Sequence, residues 1–261
     1  MRADQLLVER GLAASRSQAQ RLIAAGARWL SPGGWKALAK SDDLPLHAEV
    51  ELLDASEARY VSRGGLKLEG ALRATGLRVA GWHCLDVGQS TGGFTDCLLQ
   101  HGAASVLGVD VGHGQLHPRL RGDARVRVLE GVNARHLKDG DLMAAHPGSG
   151  PDARFELIVG DLSFISLTLV LPALAPLLQT DGHLLLLVKP QFELQPAQIG
   201  KGGIVRDAAL YAEVEQRLRG ACADAGLAVR HWLPSPIAGG DGNREFFIHA
   251  AAAAASPDTA P

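Results

Sequence analysis

The stretch Leu85–Leu99, LDVGQSTGGFTDCLL, constrains the fold of this chain more than any other. A short apolar strand ends at Asp86, passes through a turn containing Gly88, Gly92 and Gly93, and starts a helix at Phe94. Without a Cβ, glycine lets the backbone turn tightly and lets a ligand come close to the main chain. The N–H groups of the helix start then face whatever lies above the strand end. A second apolar strand, Ser105–Val111 (SVLGVDV), ends in another acid, Asp110, 24 residues after Asp86. An acid at the tip of the second strand, roughly 20 residues beyond a glycine turn, is placed to bind ribose hydroxyls.

The turn has the spacing G-x-S-x-G-G rather than the G-x-G-x-x-G of a dinucleotide site. A ligand without a pyrophosphate needs no second approach glycine. A nucleoside carrying an amino acid, as in S-adenosyl-L-methionine, suits this variant, and that cofactor is the expectation. The turn also matches a nucleophile elbow, G-x-S-x-G. A hydrolase of that kind places several strands before the elbow and an acid and a histidine after it. Here the elbow follows the first sheet strand and no histidine has a recognisable context, so a hydrolase is set aside.

Further apolar strands follow at about Val126–Leu129, Phe155–Phe164 and His183–Glu193, with a helix expected over Leu167–Leu178 and another over Leu210–Gly226. Ala228–Leu233 and Glu245–Ala250 are expected to close the sheet as an antiparallel pair. Near-continuous apolar runs alternating with helices indicate a mostly parallel sheet covered on both faces. The expected class is α/β and Rossmann-like, with an antiparallel last strand. Ligands collect at the carboxyl ends of such strands, where Asp86, Asp110, Asp161 and Lys189 all fall. Asn133, just past the third strand, is a candidate for reading the adenine or its ribose. The loop Ile199–Asp207 (IGKGGIVRD), with Lys201 and Arg206, suits a mobile lid that contacts phosphate, and equally an ordinary surface loop.

Ahead of this body lies a small basic module. Residues 1–40 hold seven basic side chains, Arg2, Arg10, Arg16, Arg21, Arg28, Lys36 and Lys40, against Asp4 and Glu9. The whole chain has a formal net charge of −2, so the basic charge is concentrated at this end and points to a polyanionic partner. Two short helices are expected, the first ended by Gly11, the second capped by Ser15 with Gln18 as its capping-box partner and stopped by Gly26. A turn at Ser31–Gly34 and a strand at Glu49–Leu53 complete the unit. Residues 1–53 are read as this α+β domain, 54–59 as a linker, 60–250 as the sheet domain and 251–261 as a disordered tail.

No apolar run approaches the roughly 18 residues of a membrane span, and Arg2 and Asp4 lead into a charged helix rather than a signal-peptide core. Cys84, Cys97 and Cys222 have no metal-ligand spacing and read as reduced thiols of a cytoplasmic protein. No metal is expected. Lys67, Asp161, Lys189 and Glu245 stand out as the chemistry-bearing set. Two lysines beside two acids shift one another's ionisation, and a neutral amine among them can take a proton from a ribose hydroxyl. The same four residues also make a structural ion-pair cluster, and the residues alone leave both open.

The motifs YVSRGGLKLEGAL (Tyr60–Leu72), DVGQSTGGFT (Asp86–Thr95), DVGHGQL (Asp110–Leu116), DLSFISL (Asp161–Leu167), VKPQFE (Val188–Glu193), GKGGIVRD (Gly200–Asp207) and Ser235–Ile237 with Gly242–Phe246 together resemble the TlyA-type, hemolysin-A-like family. At the N-terminus, R-x-D-x-x-L and R-G-L-x-x-S-R-x-x-A are similar to the RNA-binding module of the ribosomal-protein S-four type. The resemblance covers about residues 1–249. It implies an RNA-binding module fused to an FtsJ-type, class I methyltransferase that methylates ribose 2′-hydroxyls, on cytidines of ribosomal RNA. It places the family's K-D-K-E tetrad on Lys67, Asp161, Lys189 and Glu245. It implies cofactor contacts at Asp86, Gly88, Ser90, Thr91, Gly92, Gly93, Phe94, Asp110, Val111, Asn133 and Asp161. RNA contacts are implied at Arg2, Arg16, Gln20, Arg21, Arg63, Lys201 and Arg206.

The implied partner is ribosomal RNA or a ribosomal subunit, away from any membrane; a monomer is favoured, with the oligomeric state left open. Three departures stand out: Gln89 where the family commonly has alanine, Gly160 where it has a larger residue, and Trp29–Gly34 in place of a V-N-G hairpin. A non-catalytic RNA-binding or ribosome-assembly protein is the rival class, and the hemolysin name implies a membrane-active one.

Overall fold

A computed structural model of the chain describes residues 1–13, 15–53, 58–138, 142 and 154–252. Of the expected linker, 54–57 lie outside the described residues, as do 253–261 of the expected tail. The chain divides into two compact units, Met1–Leu66 and Lys67 onward.

The first unit places two helices, α1 (Ala3–Glu9) and α2 (Arg16–Gly26), beside a three-stranded antiparallel sheet. The strands are β1 (Ala27–Ser31), β2 (Gly34–Ala37) and β3 (Val50–Leu52), in the order β2-β1-β3. Ser15 caps α2, its hydroxyl oxygen accepting from the Gln18 N–H at 3.2 Å. The Gln18 side chain, expected to complete a capping box, is buried and donates to the Tyr60 carbonyl oxygen at 3.4 Å. Leu6, Leu7, Ala19, Leu22 and Ile23 pack with Ala27, Leu38 and Leu44 into this unit's own core. The turn expected at Ser31–Gly34 joins β1 to β2, and the Ser31 hydroxyl braces it by donating to the Gly34 carbonyl at 2.7 Å.

The second unit is an α/β fold built on a seven-stranded sheet. Its strands are β4 (His83–Val87), β5 (Ser105–Asp110), β6 (Val126–Glu130), β7 (Phe155–Gly160), β8 (Leu178–Val188), β9 (Leu227–Pro234) and β10 (Phe246–Ala252). They lie in the order β6-β5-β4-β7-β8-β10-β9. Every pair is parallel except those of β10, which runs antiparallel to both β8 and β9. The chain moves outward from β4 to β6 and then returns to β7 on the other side of β4. That reversal opens a crevice above the carboxyl ends of β4 and β7, where ligands of open α/β sheets bind. Leu85, Val87, Leu107, Ile158, Leu184, Leu186 and Ile248 form the buried centre.

Three elements differ from expectation. In place of one helix over Leu167–Leu178 there are three short turns, Leu167–Leu169, Leu171–Leu174 and Ala175–Leu177. Pro172 and Pro176 stand at the starts of the latter two, where proline is tolerated; inside a continuous helix each removes a hydrogen bond and clashes with the preceding turn. The strand expected at His183–Glu193 stops at Val188, because Pro190 begins a short helix, Pro190–Glu193. Likewise β7 ends at Gly160, leaving Asp161 just beyond the strand rather than within it. Cys84, Cys97 and Cys222 are buried free thiols. Among the described residues no helix is long and apolar enough to cross a membrane.

Candidate active site

The helix that starts the second unit, α3 (Gly64–Thr75), presents Lys67 from its first turn. Three residues later a Cβ on Gly70 would lie 2.7 Å from the Pro236 ring, so only glycine lets the chain before β10 pack this closely. That chain carries Glu245, and Lys67 Nζ lies 2.6 Å from Glu245 Oε2 with both side chains buried. Burial pushes the Glu245 carboxyl above its ordinary range, Lys67 opposes the shift, Asp161 adds to it and Lys189 opposes it. The four members of the expected tetrad are thus electrostatically coupled in one place.

The second pair is at the ends of β7 and β8. Lys189 Nζ lies 2.6 Å from Asp161 Oδ1 and donates to Ser163 Oγ at 2.7 Å. The turn beyond is fixed by Glu193, whose carboxylate accepts from the Ser166 hydroxyl at 2.5 Å and the Leu167 N–H at 2.8 Å. Ser163 was not among the sequence candidates, although it stands in the DLSFISL motif. Phe164, next to it, has φ +64 and is 89% exposed, its ring 5.0 Å from that of Phe192.

Asp161 also lines a cavity of about 310 Å³ above the carboxyl ends of the strands, with Gly88, Ser90, Asp110, Val111 and Gln115. Gly88 has φ +79, and a Cβ there would meet the Asp161 carbonyl at 2.9 Å. The Asp110 carboxylate accepts from the Ser90 N–H at one oxygen and from the Gly112 N–H at the other, both at 2.7 Å. Those bonds fix its plane and leave a further lone pair on each oxygen, an arrangement matched to two neighbouring hydroxyls. The donor set of the cavity, a carboxylate with open lone pairs beside a glycine turn, fits a nucleoside such as that of S-adenosylmethionine. The size suits a small-molecule site.

Several cofactor candidates serve beneath the cavity rather than in its wall. Asp86 is buried, and accepts from the Thr95 hydroxyl at 2.7 Å. Gln89 in turn donates to Thr95 at 2.8 Å and lies where a side chain at Gly108 would be. Burial pushes the Asp86 carboxyl up to about 7. Gly92 caps the helix α4 (Gly93–Gln100) in a left-handed conformation, against Leu116 and Leu120. Phe94 is buried and stacks on Phe247, centroids 6.1 Å apart. Asn133 accepts from the Arg135 N–H at 3.0 Å, while its neighbours Val132 and Ala134 line the cavity. Thr91 and Gly93 belong to the turn and the helix start. Gln115, Leu162 and Ser163 also line the cavity, and a lone amide, apolar or hydroxyl contact carries no spacing signal of its own.

The RNA candidates fall into separate groups. Arg2, Arg16 and Gln20 converge on Asp4 in the first unit, with Arg21 on the same helix. Arg63 precedes α3. Lys201 and Arg206 are exposed on the glycine-rich loop, which is held rather than free: buried Asn243 accepts from the Val205 N–H and donates to the Gly203 carbonyl, each at 2.9 Å.

Residues 60–252 match the profile of FtsJ-like methyltransferases, and residues 1–27 match that of the S4 domain. Over 252 residues the chain is 44% identical to the 16S/23S rRNA (cytidine-2′-O)-methyltransferase TlyA of Mycobacterium tuberculosis, spanning 95% of this chain and 88% of that relative. Over 250 residues it is 45% identical to a Bacillus subtilis protein provisionally named rRNA methyltransferase YqxC, spanning 95% and 84%. A solved structure of a protein provisionally named a hemolysin, from Streptococcus thermophilus, superposes with a TM-score of 0.73 at 39% identity, covering 97% of this chain and 88% of that one.

Proposed function

The chain belongs to the FtsJ-like methyltransferase family, and on that premise we propose that it methylates ribose 2′-hydroxyls of ribosomal RNA, on cytidines, using S-adenosylmethionine. The observation that carries this reading is the double use of Asp161, which lines the nucleoside cavity and holds Lys189 Nζ at 2.6 Å. This double use supports Lys189 as the proton acceptor at the edge of the site that takes the methyl donor. Asp110, Gly88 and Ser90 would hold that donor. When bound, S-adenosylmethionine supplies a methyl group on a positively charged sulfur that departs with the electron pair of the broken bond.

The neutral amine form of Lys189 takes the proton of the 2′-hydroxyl as its oxygen forms the bond to the methyl carbon, and Asp161 pairs with the ammonium so formed. Asp161 and Ser163 keep the amine in place, and the Lys67–Glu245 pair fixes the opposite wall of the site. Alignment of the attacking oxygen with the methyl carbon supplies much of the acceleration. The exposed Phe164 ring offers a flat face at the rim for a base. The N-terminal unit, with Arg2, Arg16, Gln20 and Arg21, docks the RNA through its phosphates. The chain acts in the cytoplasm, on ribosomal RNA or ribosomal subunits.

Transfer of labelled methyl from S-adenosylmethionine to purified 16S and 23S rRNA, followed by mapping of 2′-O-methyl positions, tests the reading. Label on cytidine riboses supports it. Binding of rRNA without any transfer would make the chain an RNA-binding protein instead.

A further inference from the structure

In the first unit, one carboxylate organises the groups expected to face RNA. Asp4 has a fully buried side chain, yet it faces two arginines that are 44% and 54% exposed, Arg2 and Arg16. Arg2 Nε donates to Asp4 Oδ1 at 3.2 Å and its Nη2 to Oδ2 at 3.4 Å, a forked pair. Arg16 Nη2 and Gln20 Nε2 donate to Asp4 Oδ2 at 3.0 and 2.8 Å. The hydrogen bond from Arg2 holds the Asp4 carboxyl far below its usual range, helped by Gln20 and Arg16 and opposed by burial. Three side chains, one from the residue before α1 and two from α2, thus lock onto one anion, and each guanidinium keeps further N–H donors for the solvent side.

Long side chains such as arginine lose substantial rotamer freedom when a ligand orders them. A buried anion that orders them beforehand removes part of that loss from the binding step. We propose that Asp4 is a positioning residue that pre-organises Arg2, Arg16 and Gln20 into a receptor for RNA backbone phosphate. The inference rests on the reading above that ribosomal RNA is the substrate. It makes a prediction whose sign is opposite to that of net charge. Removing a carboxylate from a basic surface should tighten RNA binding if charge alone matters; it weakens binding if the carboxylate sets the geometry.

The test uses the full chain and its Asp4→Asn and Arg16→Lys variants, with purified 16S and 23S rRNA as probe, from 50 to 200 mM KCl. Each lost phosphate contact should weaken binding about fivefold near physiological salt and lower the salt slope by about one. Asp4→Asn should therefore bind about fivefold to thirtyfold more weakly with a shallower slope, despite its added positive charge. Arg16→Lys keeps the charge and loses the planar guanidinium that reaches Asp4 and a phosphate at once, so it should also weaken. Thermal melts and S-adenosylmethionine affinity report whether each variant is folded; because Arg16 is half exposed, Arg16→Lys decides the matter should Asp4→Asn fail to fold. Binding by folded Asp4→Asn equal to or tighter than wild type overturns the proposal, as does unchanged binding by Arg16→Lys when Asp4→Asn is unfolded. A wild-type chain that binds no rRNA overturns the substrate reading, and this inference with it.

Discussion

Lys67 and Glu245 meet at 2.6 Å although one stands in the first turn of a helix and the other at the entrance to the last strand. Both are buried, so neither charge has much water to fall back on. The chain that carries Glu245 packs this closely only because Gly70 has no side chain under Pro236.

Removing one partner of such a pair leaves an uncompensated buried charge. Lys67→Met should therefore destabilise the second unit by about 3–5 kcal/mol in urea unfolding, while Lys67→Met with Glu245→Gln should recover most of that loss. A single variant within about 1 kcal/mol of wild type would mean that the pair is not structural.

The cofactor assignment is tested at Asp110. Its carboxylate is already fixed by the Ser90 and Gly112 N–H groups, so alanine removes a prepared acceptor and leaves those donors unmatched. Calorimetry with S-adenosylmethionine should show a loss of about 1–3 kcal/mol in Asp110→Ala. An unchanged affinity would move the ribose elsewhere.

A pH effect follows from three histidines at the other end of the sheet. His249 shares hydrogen-bond contacts with His231 at 2.9 Å and His183 at 3.2 Å. Burial, with His183, His231 and Arg230 adding to it, pushes His249 down to about 4. The unfolded chain takes up that proton near pH 6.5. The folded state favours the neutral ring, so its contribution is complete above about 6.5 and is lost as the pH falls toward 4, at about 1.4 kcal/mol per unit. The stability advantage of wild type over His249→Gln should shrink across that window. A constant difference between the two melting curves would refute this.

Much of this arrangement was legible in the sequence because it lies at strand ends. Asp86, Asp110, Asp161 and Lys189 each close an apolar run, and a parallel sheet brings such ends to one edge. What escaped was decided by partners distant in the chain. Nothing local says that Phe94 stacks on Phe247, that Gln89 props Thr95, or that Asp4 gathers two arginines. The helix expected over Leu167–Leu178 had the right apolar content, but Pro172 and Pro176 broke it into turns. Lys189 was placed at the end of a strand, whereas Ser163, which accepts from its amine, became visible only once β7 and β8 were neighbours.

The central claim is that the Lys189 amine accepts the ribose proton, and Lys189→Arg tests it most directly. A guanidinium can pair with Asp161 as the protonated lysine does, but it does not give up its proton in a protein and so offers no neutral amine to accept another. Single-turnover methylation of rRNA by the saturated variant should be nearly abolished, with cofactor and RNA affinities each within about 1 kcal/mol of wild type, the loss falling on the transition state. A Lys189→Arg enzyme that methylates at close to the wild-type single-turnover rate would contradict the account, because charge alone would then suffice and the proton would leave by another route.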